Sequence, residues 1–77
     1  MKHARPDYDR IQDPAGLIPE DEPVFLLRAQ DKYFDKMLRY YRKLVEYDDG
    51  DLRIVAAVTK HLKLAETWPV KKSPDMP

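Results

Sequence analysis

Two amphipathic stretches, separated by the short segment at residues 48–51, most constrain how this chain folds. At about 100° per residue, each stretch divides into an apolar half and a polar half. The pattern predicts helices at residues 32–47 and 52–67, and Pro69 cannot continue the second one. A connection this short places consecutive helices antiparallel. The predicted fold class is therefore all-α, an antiparallel helical hairpin occupying residues 31–68.

Local residue chemistry predicts where these helices begin and end. Asp31 is the expected N-cap of the first helix, because a carboxylate accepts hydrogen bonds from the free amides of the first turn. Gly50 suits the left-handed end of that helix, and either Asp49 or Asp51 suits the N-cap of the second.

The apolar half of each helix spans about 180°, wider than the stripe of about 100° that one packing partner requires. In the first helix it contains Tyr33, Phe34, Met37, Leu38, Tyr40, Tyr41, Leu44, Val45 and Tyr47. In the second it contains Ile54, Val55, Ala57, Val58, His61, Leu62, Leu64, Ala65 and Trp68. A hairpin alone cannot cover both halves. Either the side chains at residues 25–27 fill the gap, or homo-oligomerisation with a second chain completes the fold.

Residues 1–30 form a proline-rich acidic arm, and residues 69–77 form a short tail. Four prolines exclude a long helix from the arm, since each restricts the residue before it. Residues 13–16 predict a turn in which Gly16 takes a positive φ. Residues 24–27 are apolar, and a lone strand there would have no partner within the chain. An extended segment or one helical turn, lying on the helices, is expected instead.

Length and composition narrow the function classes. A chain of 77 residues without cysteine builds a small core that no disulfide reinforces, and self-association is a common remedy. Fourteen basic and fourteen acidic side chains cancel, which argues against nucleic acid as a partner. No apolar run reaches the roughly 20 residues that cross a bilayer, and no hydrophobic signal region follows Met1. The expected location is the cytoplasm, with no membrane partner.

Catalytic signatures are missing from the sequence. Neither Thr59 nor Thr67 lies in a glycine-flanked nucleophile turn, and two glycines cannot build a phosphate-binding loop. His3 and His61 lack the spacing of a metal site. We therefore expect no enzymatic activity, no metal and no cofactor.

Three features remain as candidate binding groups. Tyr33, Tyr40 and Tyr47 repeat every seven residues, as in a coiled-coil seam, and either pack as hairpin core or lie at an interface. His61 is either a core or interface histidine hydrogen-bonded to a tyrosine or a backbone carbonyl, or a pH-sensitive or ligand-binding group. A basic face is either solvated, a counter-surface for the acidic residues 20–22, or a site for phosphate or an acidic protein; it contains Lys36, Arg39 and Lys43.

Residues 13–31, DPAGLIPEDEPVFLLRAQD, together with the ending at residues 68–75, resemble short uncharacterised proteins of bacteria, prophages and phages. The resemblance implies a mobile-element setting, in which small helical proteins often bind a host protein or sequester a signalling nucleotide. It assigns no role to any particular residue.

The sequence thus predicts a small non-enzymatic protein that self-associates through its tyrosine-bearing helix and binds a host or phage macromolecule, with inhibition of a host defence system as one outcome. The alternative is an oligomeric sponge that holds an anionic nucleotide between the tyrosine rings and the lysine and arginine side chains.

Overall fold

The computed structural model describes residues 1–10 and 13–77, which form two compact units. The first unit comprises residues 1–27 and 75–77, and it holds the strands β1 (Lys2–His3) and β2 (Pro23–Val24) and a short 3-10 helix, Pro6–Tyr8. The second unit comprises residues 28–74 and holds the helices α1 (Phe34–Tyr47) and α2 (Leu52–Glu66).

The second unit is the predicted helical hairpin. Its helices pack closely along one side of each, around a small core in which the buried side chains are Phe34, Val58, Leu62 and Ala65. Leu38 and Val45 are half-buried on the same side of α1. The core thus takes less than half of each apolar arc, and the remaining apolar side chains lie outside it.

The predicted start of α1 is wrong by two residues. Asp31 accepts a hydrogen bond from the Tyr33 amide at 2.8 Å, but residues 31–33 form a turn, and the residue at the N-cap position is Tyr33. The short side chain of aspartate, which favours turns as well as caps, explains the difference. The second helix begins as predicted, because the Asp51 carboxylate accepts from the Arg53 amide at 2.8 Å, and it ends one residue early, at Glu66.

The turn between the helices departs from the prediction in its left-handed residue. Asp49 has the positive φ, 52°, and Gly50 does not. Aspartate is among the few residues that adopt this region readily. Gly50 serves by its small size instead, since a Cβ there would lie 2.7 Å from Val45 Cγ1 and 2.9 Å from the Val45 carbonyl oxygen.

The segment after α2 returns to the start of α1. The Lys32 amide donates to the Lys72 carbonyl at 2.9 Å, and the Lys72 amide donates to the Gln30 carbonyl at 2.8 Å. Lys71 Nζ donates to the carbonyl oxygens of Ala29 and Ala65, at 2.8 and 2.9 Å. Residues 69–74 therefore close the open end of the hairpin, opposite the turn.

The first unit corrects the expectation that a strand in the arm has no partner in the chain. Val24 pairs with His3 in a two-stranded parallel sheet, and the Lys2 amide donates to the Glu22 carbonyl at 2.7 Å. The fold is mostly helical, but it is not free of strands. The turn at residues 13–16 is as predicted, with Gly16 at a φ of 64°. Phe25 is 77% exposed, so the expectation that it packs as a core side chain is wrong.

Candidate interaction surface

A row of apolar side chains along α1 faces away from the core. We call it the tyrosine stripe: Tyr33, Met37, Tyr40, Leu44 and Tyr47. Their spacing of four and three residues keeps them within about 40° of one line along the helix. Each is between 46% and 87% exposed. Of the two interpretations of the tyrosines, hairpin core is therefore wrong in the isolated chain.

A second exposed row lies on α2 and continues just past its end. We call it the histidine stripe: Ile54, Ala57, His61, Leu64 and Trp68. All five side chains are exposed. Trp68 follows the helix, and its amide still donates to the Ala65 carbonyl at 3.1 Å. Like the tyrosine stripe, this row lies roughly 100° around the helix from the core residues.

Both stripes lie on the same side of the hairpin. Viewed from the N-terminus of its own helix, each stripe lies counter-clockwise of the core residues. Because the two helices are antiparallel, a counter-clockwise rotation away from the core points to the same side of the hairpin in both of them. The opposite rotation leads to the other side, where Arg42 on α1 donates to the Thr59 hydroxyl on α2 at 3.1 Å. The two stripes together form what we call the open face.

His61 is exposed rather than buried, so its assignment to the core is wrong. Its Nδ1 lies 2.9 Å from the Ala57 carbonyl oxygen, one turn earlier in α2. The predicted carbonyl partner is thus present. Donation to a carbonyl requires the proton on Nδ1, which leaves Nε2 of the neutral ring as an acceptor on the open face.

The candidate basic residues separate into two kinds. Arg39 Nε donates to Asp35 Oδ2 at 2.7 Å, and this hydrogen bond, followed by the charge of the same guanidinium, lowers the pKa of the Asp35 carboxyl. Lys36 and Lys43 have no ion pair within the described part of the chain. They lie one helical turn before Tyr40 and Tyr47, at the edge of the tyrosine stripe. The structure therefore brings two of the three predicted cations beside the tyrosines.

A shallow depression on another side of α2 is a feature that the sequence did not predict. It is lined by Ala56, Thr59, Lys60, Lys63, Leu64 and Thr67. The lysines have no ion pair among the described residues, but both threonine hydroxyls are hydrogen-bonded to carbonyls of α2. The sequence places Lys60 and Lys63 on one side of the predicted second helix, but residue spacing does not show that the surface between them is concave.

Comparisons with protein-family models, with curated proteins and with solved structures gave no match. Among residues 1–10 and 13–77, no three histidine or acidic side chains converge as a metal site requires. Within the same residues, neither helix has both the length and the apolar character that crossing a bilayer demands. The open face is thus the feature of the described residues that indicates binding.

Proposed function

We propose that this protein is a small, non-enzymatic interaction protein of the cytoplasm that works as a homo-oligomer and binds a host or phage macromolecule. One observation carries the proposal: the hairpin exposes two parallel apolar stripes on one side. Monomeric proteins rarely expose a contiguous apolar patch of more than a few hundred Å², and larger ones mark interaction sites.

The composition of the open face supports binding rather than accidental exposure. It contains three tyrosines, one tryptophan, one histidine and one methionine. Tyrosine, tryptophan and methionine are enriched at protein interfaces, because their side chains combine a large contact area with a polar group or with adaptable shape. The buried core, by contrast, has one aromatic residue, Phe34.

The mobile-element setting implied by the sequence resemblance supplies the kind of partner. A host or phage protein, with inhibition of a host defence system as one outcome, fits a small chain whose main feature is a binding surface. The open face serves for self-association, because a core this small leaves little stability in the single hairpin, and the oligomer so formed binds the partner.

Sedimentation and affinity capture test the proposal together. We expect the protein to sediment as an oligomer at micromolar concentration and to retain a specific macromolecule that then binds in a purified pairwise assay. Tyr40→Glu should weaken both, whereas Lys63→Glu, outside the open face, should preserve both. A folded monomer that binds no macromolecule in the purified assay would contradict the proposal.

The second candidate function is sequestration of an anionic nucleotide. Its support is the position of Lys36 and Lys43 beside Tyr40 and Tyr47, where neither lysine has an ion pair to residues 1–10 or 13–77. Tyrosine rings stack on bases, and ammonium groups attract phosphate. Calorimetric titration with cyclic dinucleotides tests it. Binding that is lost in the Lys36→Glu, Lys43→Glu double variant, with the fold intact, would favour the sponge. A wild-type protein that gives no heat of binding would contradict this second candidate function.

A further inference from the structure

We infer that two copies of the hairpin meet through their open faces in an antiparallel arrangement, with each helix lying across its own counterpart, to form a four-helix bundle. This inference rests on the proposed self-association and specifies its geometry. A two-fold contact is made by the same patch on both copies, so the patch has to be complementary to itself when it is turned around.

The tyrosine stripe has that property. Its spacing is nearly symmetric about Tyr40: Tyr33 and Tyr47 lie seven residues to either side, and Met37 and Leu44 lie three before and four after. When α1 is laid antiparallel on a second α1, Tyr40 meets its own copy, each outer tyrosine meets the opposite one, and Met37 meets Leu44.

The histidine stripe is symmetric in the same way about His61. Ile54 and Trp68 lie seven residues to either side, and Ala57 and Leu64 lie four before and three after. Laying α2 antiparallel on a second α2 therefore pairs the branched Ile54 with the large Trp68 and the small Ala57 with Leu64. Large side chains opposite smaller ones are the combination that packs without voids.

Tyr40 and His61, the centres of the two stripes, lie at nearly the same height along the hairpin. One two-fold axis can therefore relate both stripes to their copies. α1 ends at Tyr47 and α2 begins at Leu52, which places Tyr40 level with Thr59. The hydrogen bond from Arg42 to the Thr59 hydroxyl agrees with this alignment. His61 is two residues further on, or about 3 Å along the axis. A single two-fold axis, perpendicular to the helices, can therefore pass close to both Tyr40 and His61.

The area is sufficient for a stable dimer. If each large side chain offers about 150–250 Å², the exposed fractions of the stripe residues correspond to roughly 900 Å² per copy. Specific, stable interfaces bury about 800 Å² on each partner. One face-to-face contact thus uses the open face almost completely.

Charge selects the antiparallel arrangement over one with both turns at the same end. The turn carries Asp48, Asp49 and Asp51, of which Asp51 is paired with Arg53, whereas the open end of the hairpin carries Lys32 and Lys71 beside Asp31 and Glu66. The antiparallel arrangement keeps the acidic turns of the two copies apart. The same-end arrangement would gather the aspartates of both copies, and like charges at short range oppose association.

Disulfide trapping tests the geometry, because the chain has no cysteine of its own. Under mild oxidation we expect Tyr40→Cys and His61→Cys each to form covalent homodimers. Tyr47→Cys alone should not, since its two thiols would be on the order of 20 Å apart, far beyond the roughly 7 Å between Cα atoms that a disulfide tolerates. A mixture of Tyr33→Cys and Tyr47→Cys should cross-link. Lys63→Cys, outside the open face, is the control for random oxidation.

Circular dichroism verifies that each variant retains its helices, and sedimentation of the wild type separates the two levels of the proposal. A wild-type dimer in which neither Tyr40→Cys nor His61→Cys cross-links to itself would overturn the antiparallel geometry while leaving self-association standing. A dimer with a dissociation constant of about 1 µM is almost fully associated at a protein concentration of about 100 µM. A wild type that stays monomeric at that concentration would overturn self-association and the bundle together.

Discussion

The hairpin carries apolar residues on two sides, the packed side and the open face. Both sides are formed by the same two helices, with apolar residues three or four positions apart, but their residue types differ. The packed side is built from Phe34, Val58, Leu62 and Ala65, which fill space without polar atoms. The open face presents tyrosine, histidine and tryptophan, whose polar groups tolerate water until a partner arrives. Helical spacing therefore identifies apolar surface, and the residue types distinguish surface for the core from surface for a partner.

Two leucines on α2 give the largest expected contrast. Leu62 is 3% exposed in the core, and Leu64 lies on the open face. Leu62→Ala should lower the free energy of unfolding by about 2–5 kcal/mol, because it leaves a cavity in a domain with little stability to lose. Leu64→Ala should cost the monomer less than about 0.5 kcal/mol. Chemical denaturation at low protein concentration measures both. Equal losses would show that the two sides do not differ as described.

A charge at the centre of the open face should weaken the contact between two copies and leave the packed side of the hairpin intact. We expect Tyr40→Glu to raise the dissociation constant of the homodimer about 100-fold, or roughly 2.7 kcal/mol, because it sets two carboxylates against each other in a desolvated contact. Lys63→Glu is the matched control, a new carboxylate on α2 away from that face. Sedimentation equilibrium gives the constants. A dimer unaffected by Tyr40→Glu would place the contact elsewhere.

The turn fixes which side of each helix packs, and Gly50 is its tightest point. Gly50→Ala should lower stability by about 1–3 kcal/mol, since the new methyl group would overlap both Val45 Cγ1 and the Val45 carbonyl. Asp49→Gly, at the residue with positive φ, should leave stability unchanged or raise it slightly, because glycine adopts that conformation without strain. Thermal unfolding of the two variants separates contact from conformation. Tolerance of Gly50→Ala would show that the turn can relax.

The smallest expected effect concerns the stability of the fold in acid, through the carboxyls of Asp35 and Asp51. Hydrogen bonds from Arg39 and Arg53 lower the pKa values of the Asp35 and Asp51 carboxyls. A lowered folded pKa contributes stability above the unfolded value of about 3.9, and that stability is lost as the pH falls through the folded pKa. The melting temperature should thus decline modestly below about pH 4. The double variant Asp35→Asn, Asp51→Asn should flatten the decline, which thermal unfolding across this pH range measures.

The hairpin could be predicted from sequence because its causes are local. Helical periodicity, Pro69 and the Asp51 cap all act within a few residues, and they place α2 within one residue of its observed bounds. The pairing of Val24 with His3 could not be predicted in the same way. It joins residues far apart in the chain, and two-residue strands leave no alternating pattern to detect.

The candidate surface was predictable in its members but not in its exposure. The tyrosine heptad and His61 are visible in the sequence, yet a half-circle of apolar residues does not show which part turns inward. That choice depends on the turn, where Asp49 rather than Gly50 takes the left-handed conformation and Val45 lies against Gly50. Arg39 shows the converse limit, because its partner Asp35 lies at a spacing that permits an ion pair without requiring one.

Lys71 gives the hairpin a definite order of assembly. Its ammonium joins the Ala65 carbonyl at the end of α2, six residues away, to the Ala29 carbonyl, forty-two residues away. Short-range contacts close early, and long loops close late because their ends must first find each other. The open end should therefore be the last part of the helical unit to form and the first to open. In amide hydrogen exchange, the Lys32 and Lys72 amides should lose protection well before the residues of α2 around Leu62. The helical unit would then open from the end that Lys71 holds together towards the turn.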